Sequence, residues 1–218
     1  MNNLQKRIFT SFILSVVLLI ALFLNKYSWL ILLIIASIIC FFEFSNIVKK
    51  IWKRKKTSIY FANLISFFYL IFFTYSAFNF SKIEEDMLYV LLVCIFSDIG
   101  GYVIGKSIGG KKLTKLSPNK TLSGTLGSFV FSLAPLILFS IIYFEKMNIN
   151  ITELFFITLV LSFICQSGDL FISYFKRKAK VKDTGSILPG HGGLLDRIDG
   201  IIFAVPAVFI LEKILFYL

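Results

Sequence analysis

The chain has little of what ordinary soluble enzymes are built from. Charged residues are 16% of it, against 57% hydrophobic, and the mean hydropathy is +0.85. A soluble domain would be nearer 45–50% apolar, so that class is excluded. Histidine occurs once, at His191. The three cysteines, Cys40, Cys94 and Cys165, stand alone inside apolar segments. That leaves no Cys/His set for zinc and no disulfide framework. The GxxxxGK[ST] spacing of a P-loop is absent. So are internal repeats and low-complexity tails. Acidic residues number 12 against 23 basic ones, a formal net charge of +11. In a soluble protein that balance would suggest nucleic acid. Here the basic residues lie between apolar segments, and the reading is basic loops at an anionic membrane surface, with no nucleic-acid partner.

What the chain has is long apolar runs. A hydrocarbon core about 30 Å thick needs about 20 apolar residues in helix, with every backbone group satisfied internally. Seven segments qualify, near 8–24, 28–48, 58–80, 87–105, 125–144, 152–174 and 200–218. The first resembles a signal peptide but lacks a small-x-small cleavage site, and it is read as a retained helix. The expected fold is all-α, a polytopic transmembrane helix bundle. Basic residues set its orientation. With the N-terminus in the cytoplasm, 19 of the 23 fall on the cytoplasmic side. The expected division is residues 1–86 as a three-span scaffold and 87–218 as the catalytic half. The loop KKIWKRKKTS reads as a topology determinant and a contact for anionic lipid.

Polar residues inside this scaffold are few and grouped. The fourth span, CIFSDIGGYVIGKSIGGKK, places Ser97, Gly101, Gly105 and Gly109 on one face, a small-residue seam that lets another helix approach. The seam would serve a homodimer or an internal contact. Asp98 is not explained by packing. A carboxylate within a span costs a few kcal/mol and usually faces a cavity, a cation or a basic partner. The next segment, GGKKLTKLSPNKTLSGTLG, has backbone amides and Lys120 available to cradle phosphate oxygens.

Between Gln166 and Gly200 sit six of the basic residues, four of the acidic ones and the only His. If the sixth span stays helical, Asp169, Ser173, Lys176 and Arg177 share one side. Such a face can hold a metal through the carboxylate and anionic oxygens through the cations. A Gly/Pro-rich loop comes next, containing Lys182, Asp183 and His191. Its glycines let backbone approach a ligand, and His191 is a phosphate contact or a loop organiser. Asp196 and Asp199, three apart at a helix start, repel each other unless a cation intervenes. Arg197 points elsewhere on that helix. Asp169, Asp196 and Asp199 are therefore the candidate Mg²⁺ ligands, since hard divalent ions take carboxylate and phosphate oxygens. Carboxylates, cations and a glycine-rich loop at a membrane surface favour phosphoryl or nucleotidyl transfer to a lipid. A lipid phosphate acceptor is mostly ionised at neutral pH and needs no strong base. A CTP-using lipid kinase and a small transporter are the other classes considered. A transporter would spread polar residues through the midplane, whereas here they gather at one face.

The run SYFKRKAKVKDTGSILPGHGGLLDRID resembles the signature of the phosphatidate cytidylyltransferases. QSGDLF, SPNKT and Asp98 with GGYVIGK are similar to further blocks of that family. The resemblance covers about residues 94–200. It implies transfer of CMP from CTP to phosphatidate in the cell (inner) membrane, with the site on the cytoplasmic face. It implies Mg²⁺, with or without a second, monovalent cation, at Asp169 and Asp196, with Asp199 and Asp98 close by. Lys120, Lys176, Arg177, Lys182 and His191 would meet phosphates. Asp183 would organise the loop or contact the nucleotide, and Arg197 is placed with the substrate-binding residues. The family usually has Glu where this chain has Ser123 and Ile172.

Overall fold

Backbone amides in an apolar phase must bond within their own segment, and the chain obeys this nearly throughout. A computed structural model describes residues 3–80, 84–113, 120–143 and 150–217. Among them are nine helices and no strand beyond two isolated bridges. The architecture is all-α and membrane-type. Six helical stretches are long and apolar enough to cross a bilayer. The expected seventh span is helix too, Ile201–Tyr217, at 17 residues. Pro118, Lys82, Lys115 and Lys146 of the loop and charge readings lie outside the described residues.

The described residues group into two units. The first holds residues 1–84 and 174–199, so the polar loop groups with the N-terminal helices. Its helices are α1 (Asn3–Leu24), α2 (Lys26–Ile51) and α3 (Lys56–Phe80). Local chemistry sets their ends. Asn25 caps α2 by accepting from the amides of Tyr27 and Ser28, and the Ser28 hydroxyl accepts from the Asn25 amide in return. Lys49 and Lys50 occupy the last turn of α2, where cations complement the helix dipole. Most large side chains of these helices point outward: Phe12 is 67% exposed and Ile65 69%. In water such a surface would drive aggregation; in lipid it is the solvated face. An aromatic cluster anchors the next polar segment, with Phe175 lying 5.1 Å from Phe44 and 6.5 Å from Trp52, centroid to centroid.

The second unit holds residues 85–173 and 200–218. It contains α4 (Glu84–Ile108), α5 (Leu122–Ser132), α6 (Ala134–Tyr143), most of α7 (Ile151–Lys178) and α9 (Ile201–Tyr217). The span expected at 125–144 is two helices. Pro135 has no N–H to give the Phe131 carbonyl, and the chain breaks at Leu133. Small residues let α4 and α5 touch. A Cβ on Gly101 would overlap the Ser128 hydroxyl, and one on Gly100 would overlap the Gly127 carbonyl. The expected seam is therefore real at Gly101 and Gly105, and it is filled internally by α5. Gly109 does not belong to it. Its φ of +65° places it just past the end of α4, and a Cβ there would meet nothing within 4 Å. Ser97 instead meets Ser162 of α7 at 2.9 Å, and Tyr89 bonds Thr158, polar contacts that tie buried helix faces.

Candidate active site

In the first unit the loop after α7 is organised by carboxylates. Helix α7 ends where Lys180 takes a φ of +56° and the Val181 amide bonds back to the Lys176 carbonyl. The chain then runs to a tight turn, in which the amides of His191 and Gly192 both donate to the Leu188 carbonyl. Gly190 and Gly192 hold φ of +78° and +85° there, a region that costs other residues about 1 kcal/mol or more. The short helix α8 (Leu195–Ile198) comes after it.

Asp196 is the hub. Its Oδ1 receives the Lys176 ammonium at 2.7 Å. Its Oδ2 receives the Thr184 amide at 2.7 Å, the Thr184 hydroxyl at 3.0 Å and the Gly193 amide at 3.1 Å. Burial pushes the carboxyl up, but the Lys176 ammonium and the two amides together outweigh it and hold it below the usual range. Asp199 is buried at 7% exposure. His191 meets the Ser11 hydroxyl through Nε2 at 3.2 Å, and its carbonyl receives Arg197 at 2.7 Å. Desolvation, then the charges of Arg197 and Arg7, hold the imidazole below its ordinary value. Asp183 lies over Gly192, where a Cβ would strike it. Lys182 and Arg177 are exposed. Lys176, Asp183, His191, Asp196 and Arg197 are thus brought around one loop.

Helices α1 and α2 also reach this loop, which the reading of the sequence missed. Arg7 donates to the Gly190 carbonyl at 2.9 Å, and the Thr10 hydroxyl is shared between the Lys6 carbonyl at 2.7 Å and the Pro189 carbonyl at 3.0 Å. Glu43 of α2, 3% exposed, accepts from the amides of Leu194 and Leu195 at 3.1 and 2.8 Å. One signal was present. Glu43 is the single charge between Lys26 and Lys49, and the reasoning applied to Asp98 applies to it as well.

The second unit holds a cavity of about 320 Å³ lined by Asp98, Lys120, Thr121, Gln166 and Asp169, among others. The Lys120 ammonium lies 2.5 Å from Asp169 Oδ2, and the Ser173 hydroxyl donates to Oδ1 at 3.2 Å. Backbone pairing fixes Lys120: its carbonyl accepts from Leu113, while the Leu122 amide bonds to Lys111. Thr121 caps α5 by accepting from Gly124. Ser123, where Glu is usual, donates to the Gly109 carbonyl and so ties the end of α4 to the start of α5. Ile172 is buried at 4% exposure and serves packing.

Asp169 and Asp196 thus fall in different units. Among the described residues, no three His, Cys, Asp or Glu side chains form a group that could hold a metal. Magnesium does not require such a group, because it typically takes one or two carboxylates with substrate phosphates. Asp98 and Asp169 line one cavity and match that donor set.

Residues 53–215 match the model of the cytidylyltransferase family. The chain belongs to that family. It is similar to proteins named phosphatidate cytidylyltransferase in Staphylococcus haemolyticus strain JCSC1435 (44% identical over 127 residues) and Staphylococcus aureus strain COL (44% over 126). A third, from Bacillus subtilis strain 168, is 40% identical over 132 residues. These alignments cover 57–59% of this chain and 48% of each relative. The chain spans about half the length of the curated relatives it matches. Family membership covers both polar regions, since the match includes Asp98, Lys120, Asp169 and the whole 174–199 loop.

Proposed function

We propose that this cytidylyltransferase acts on phosphatidate, taking CMP from CTP and forming CDP-diacylglycerol. A phosphatidate oxygen attacks the α-phosphorus of CTP. The bond to the bridging β-phosphate oxygen breaks, and pyrophosphate leaves. The carrying observation is the cavity in which Lys120, Asp98 and Asp169 meet inside helices apolar enough for a membrane. A triphosphate needs cations there, and a lipid needs the apolar surroundings. Lys120 and Thr121 line that cavity, and the ammonium and hydroxyl would bind phosphate oxygens. In the first unit, Lys176, Arg177, Lys182 and His191 of the polar loop are the residues that would meet phosphate. Asp98 and Asp169 would hold magnesium together with substrate oxygens, while Asp196 and Asp199 serve the loop and any further cation. Magnesium, when bound, neutralises charge on the nucleotide. Asp196 holds the Lys176 ammonium at 2.7 Å, so it would be oriented before substrate arrives.

The basic loops favour a site on the cytoplasmic face of a bacterial cell membrane, with the N-terminus on the same side. A homodimer would need a surface other than the Gly101–Gly105 seam, which α5 occupies. The deciding experiment supplies purified protein with CTP, Mg²⁺ and phosphatidate. Pyrophosphate release with a CMP-bearing lipid is expected. CDP formed with a lipid alcohol, and no product from phosphatidate, would overturn the reading in favour of a lipid kinase.

A further inference from the structure

A carboxylate placed in an apolar helix is costly unless donors come to it. Glu43 sits two turns before the end of α2 and is 3% exposed. Its donors come from a segment 141 to 152 residues downstream. Oε1 accepts the Leu194 amide at 3.1 Å. Oε2 accepts the Leu195 amide at 2.8 Å and the Thr184 hydroxyl at 3.0 Å. Space is fitted around it, since a Cβ on Gly185 or Gly193 would overlap the Glu43 carboxylate.

The Thr184 hydroxyl is the link to the reaction. It also lies 3.0 Å from Asp196 Oδ2, and Asp196 holds Lys176. A hydroxyl has one proton and can donate to one carboxylate at a time. Glu43 and Asp196 therefore share one donor, and the orientation of each depends on the other. Glu43 reaches the hydroxyl and two amides together.

We propose that Glu43 is a positioning residue for nucleotide binding. It fixes the 184–195 loop through the Leu194 and Leu195 amides. Through Thr184 it sets the Asp196–Lys176 pair that meets the triphosphate. The inference rests on the cytidylyltransferase reading, which gives Lys176 its phosphate.

The test uses the full chain in phosphatidylcholine nanodiscs, with Glu43→Gln, Thr184→Val and Thr184→Ser. Three quantities are read: amide exchange over 184–196, equilibrium binding of CTP, and the KM and kcat of pyrophosphate release. Loss of a charge-assisted hydrogen bond corresponds to about tenfold or more. Glu43→Gln and Thr184→Val are expected to speed exchange by about that factor. They are also expected to raise the KM for CTP and weaken CTP binding about tenfold, with less change in kcat. Thr184→Ser keeps the hydroxyl and is expected within about twofold of wild type in all readouts. Faster exchange with unchanged CTP binding would make Glu43 a purely structural clamp and overturn the proposal. Unchanged exchange would overturn it as well. If Glu43→Gln does not assemble, the Thr184 pair decides by the same readouts. A wild-type protein that binds CTP but releases no pyrophosphate would refute the cytidylyltransferase reading, and the exchange and binding measurements would still decide the role of Glu43.

Discussion

Replacing Asp196 by Asn turns one oxygen at the hub of the loop into a donor. Three N–H donors converge on the native carboxylate, one ammonium on Oδ1 and two amides on Oδ2, with the Thr184 hydroxyl shared between Oδ2 and Glu43. An Asn side chain must turn its NH₂ toward one of these sets. Facing Oδ2's partners, it would oppose two N–H donors. It will therefore face Lys176 and leave the carbonyl to the amides. Lys176 then loses its partner while its side chain is only 15% exposed. A hydrogen bond between charged groups contributes about 1.5–3 kcal/mol, and stranding the ammonium adds to that, for a total near 3–4 kcal/mol. At about 1.4 kcal/mol per tenfold, a loop needed for turnover should lose at least about a hundredfold in kcat/KM. The spanning helices do not depend on this contact, so membrane insertion is expected to be normal. The sharper measurement is a double-mutant cycle with Lys176→Met, read by SDS unfolding in mixed micelles. Removing both partners strands no charge, so the double variant should be about 1–2 kcal/mol more stable than the sum of the singles. Additivity within about 0.5 kcal/mol would show that the pair is not coupled, and the account of the hub would fail.

Two other perturbations separate the units. Lys120→Met removes the cation beside Asp169; pyrophosphate release should fall about a hundredfold, chiefly through KM for CTP, while exchange over 184–196 stays as in wild type. Gly193→Ala introduces a Cβ into the Thr184 hydroxyl and the Glu43 carboxylate; it should cost about 1–3 kcal/mol in the same unfolding assay and depress activity, whereas Gly109→Ala, with open space around it, should cost about 1 kcal/mol from its φ alone.

How much was legible in the sequence depends on the range over which the physics acts. Spans could be placed because a bilayer imposes one length on every helix. Six of the seven expected segments coincide with helical stretches of spanning length and composition, the fifth of them two helices in succession, and the last is helix at 17 residues. The split of 125–144, read as one span, was missed, although its cause is local: Pro135 acts on its own turn. Gly109 was misplaced because a four-residue period does not say where the helix stops. That stop depends on a backbone angle only glycine takes easily.

The site was half legible for a different reason. A motif in one contiguous run marks itself, so Lys176, Asp183, His191, Asp196 and Arg197 could be named together. Nothing in that run indicates that its turn is held by Arg7 and Thr10, or its helix start by Glu43. Those contacts join residues about 150–180 apart, and the spans between them show only the monotony of lipid-facing side chains. The scarcity of charge in such a chain is itself the missing clue. A lipid-facing helix gains nothing from a carboxylate, so a lone Glu in it implies donors brought from elsewhere. In the described residues the polar loop offers those donors to Glu43, two amides and a hydroxyl at hydrogen-bonding distance. Helices α1 and α2 are thereby more than scaffold: they supply the polar contacts that a glycine-rich loop, free in so many of its own angles, cannot supply to itself.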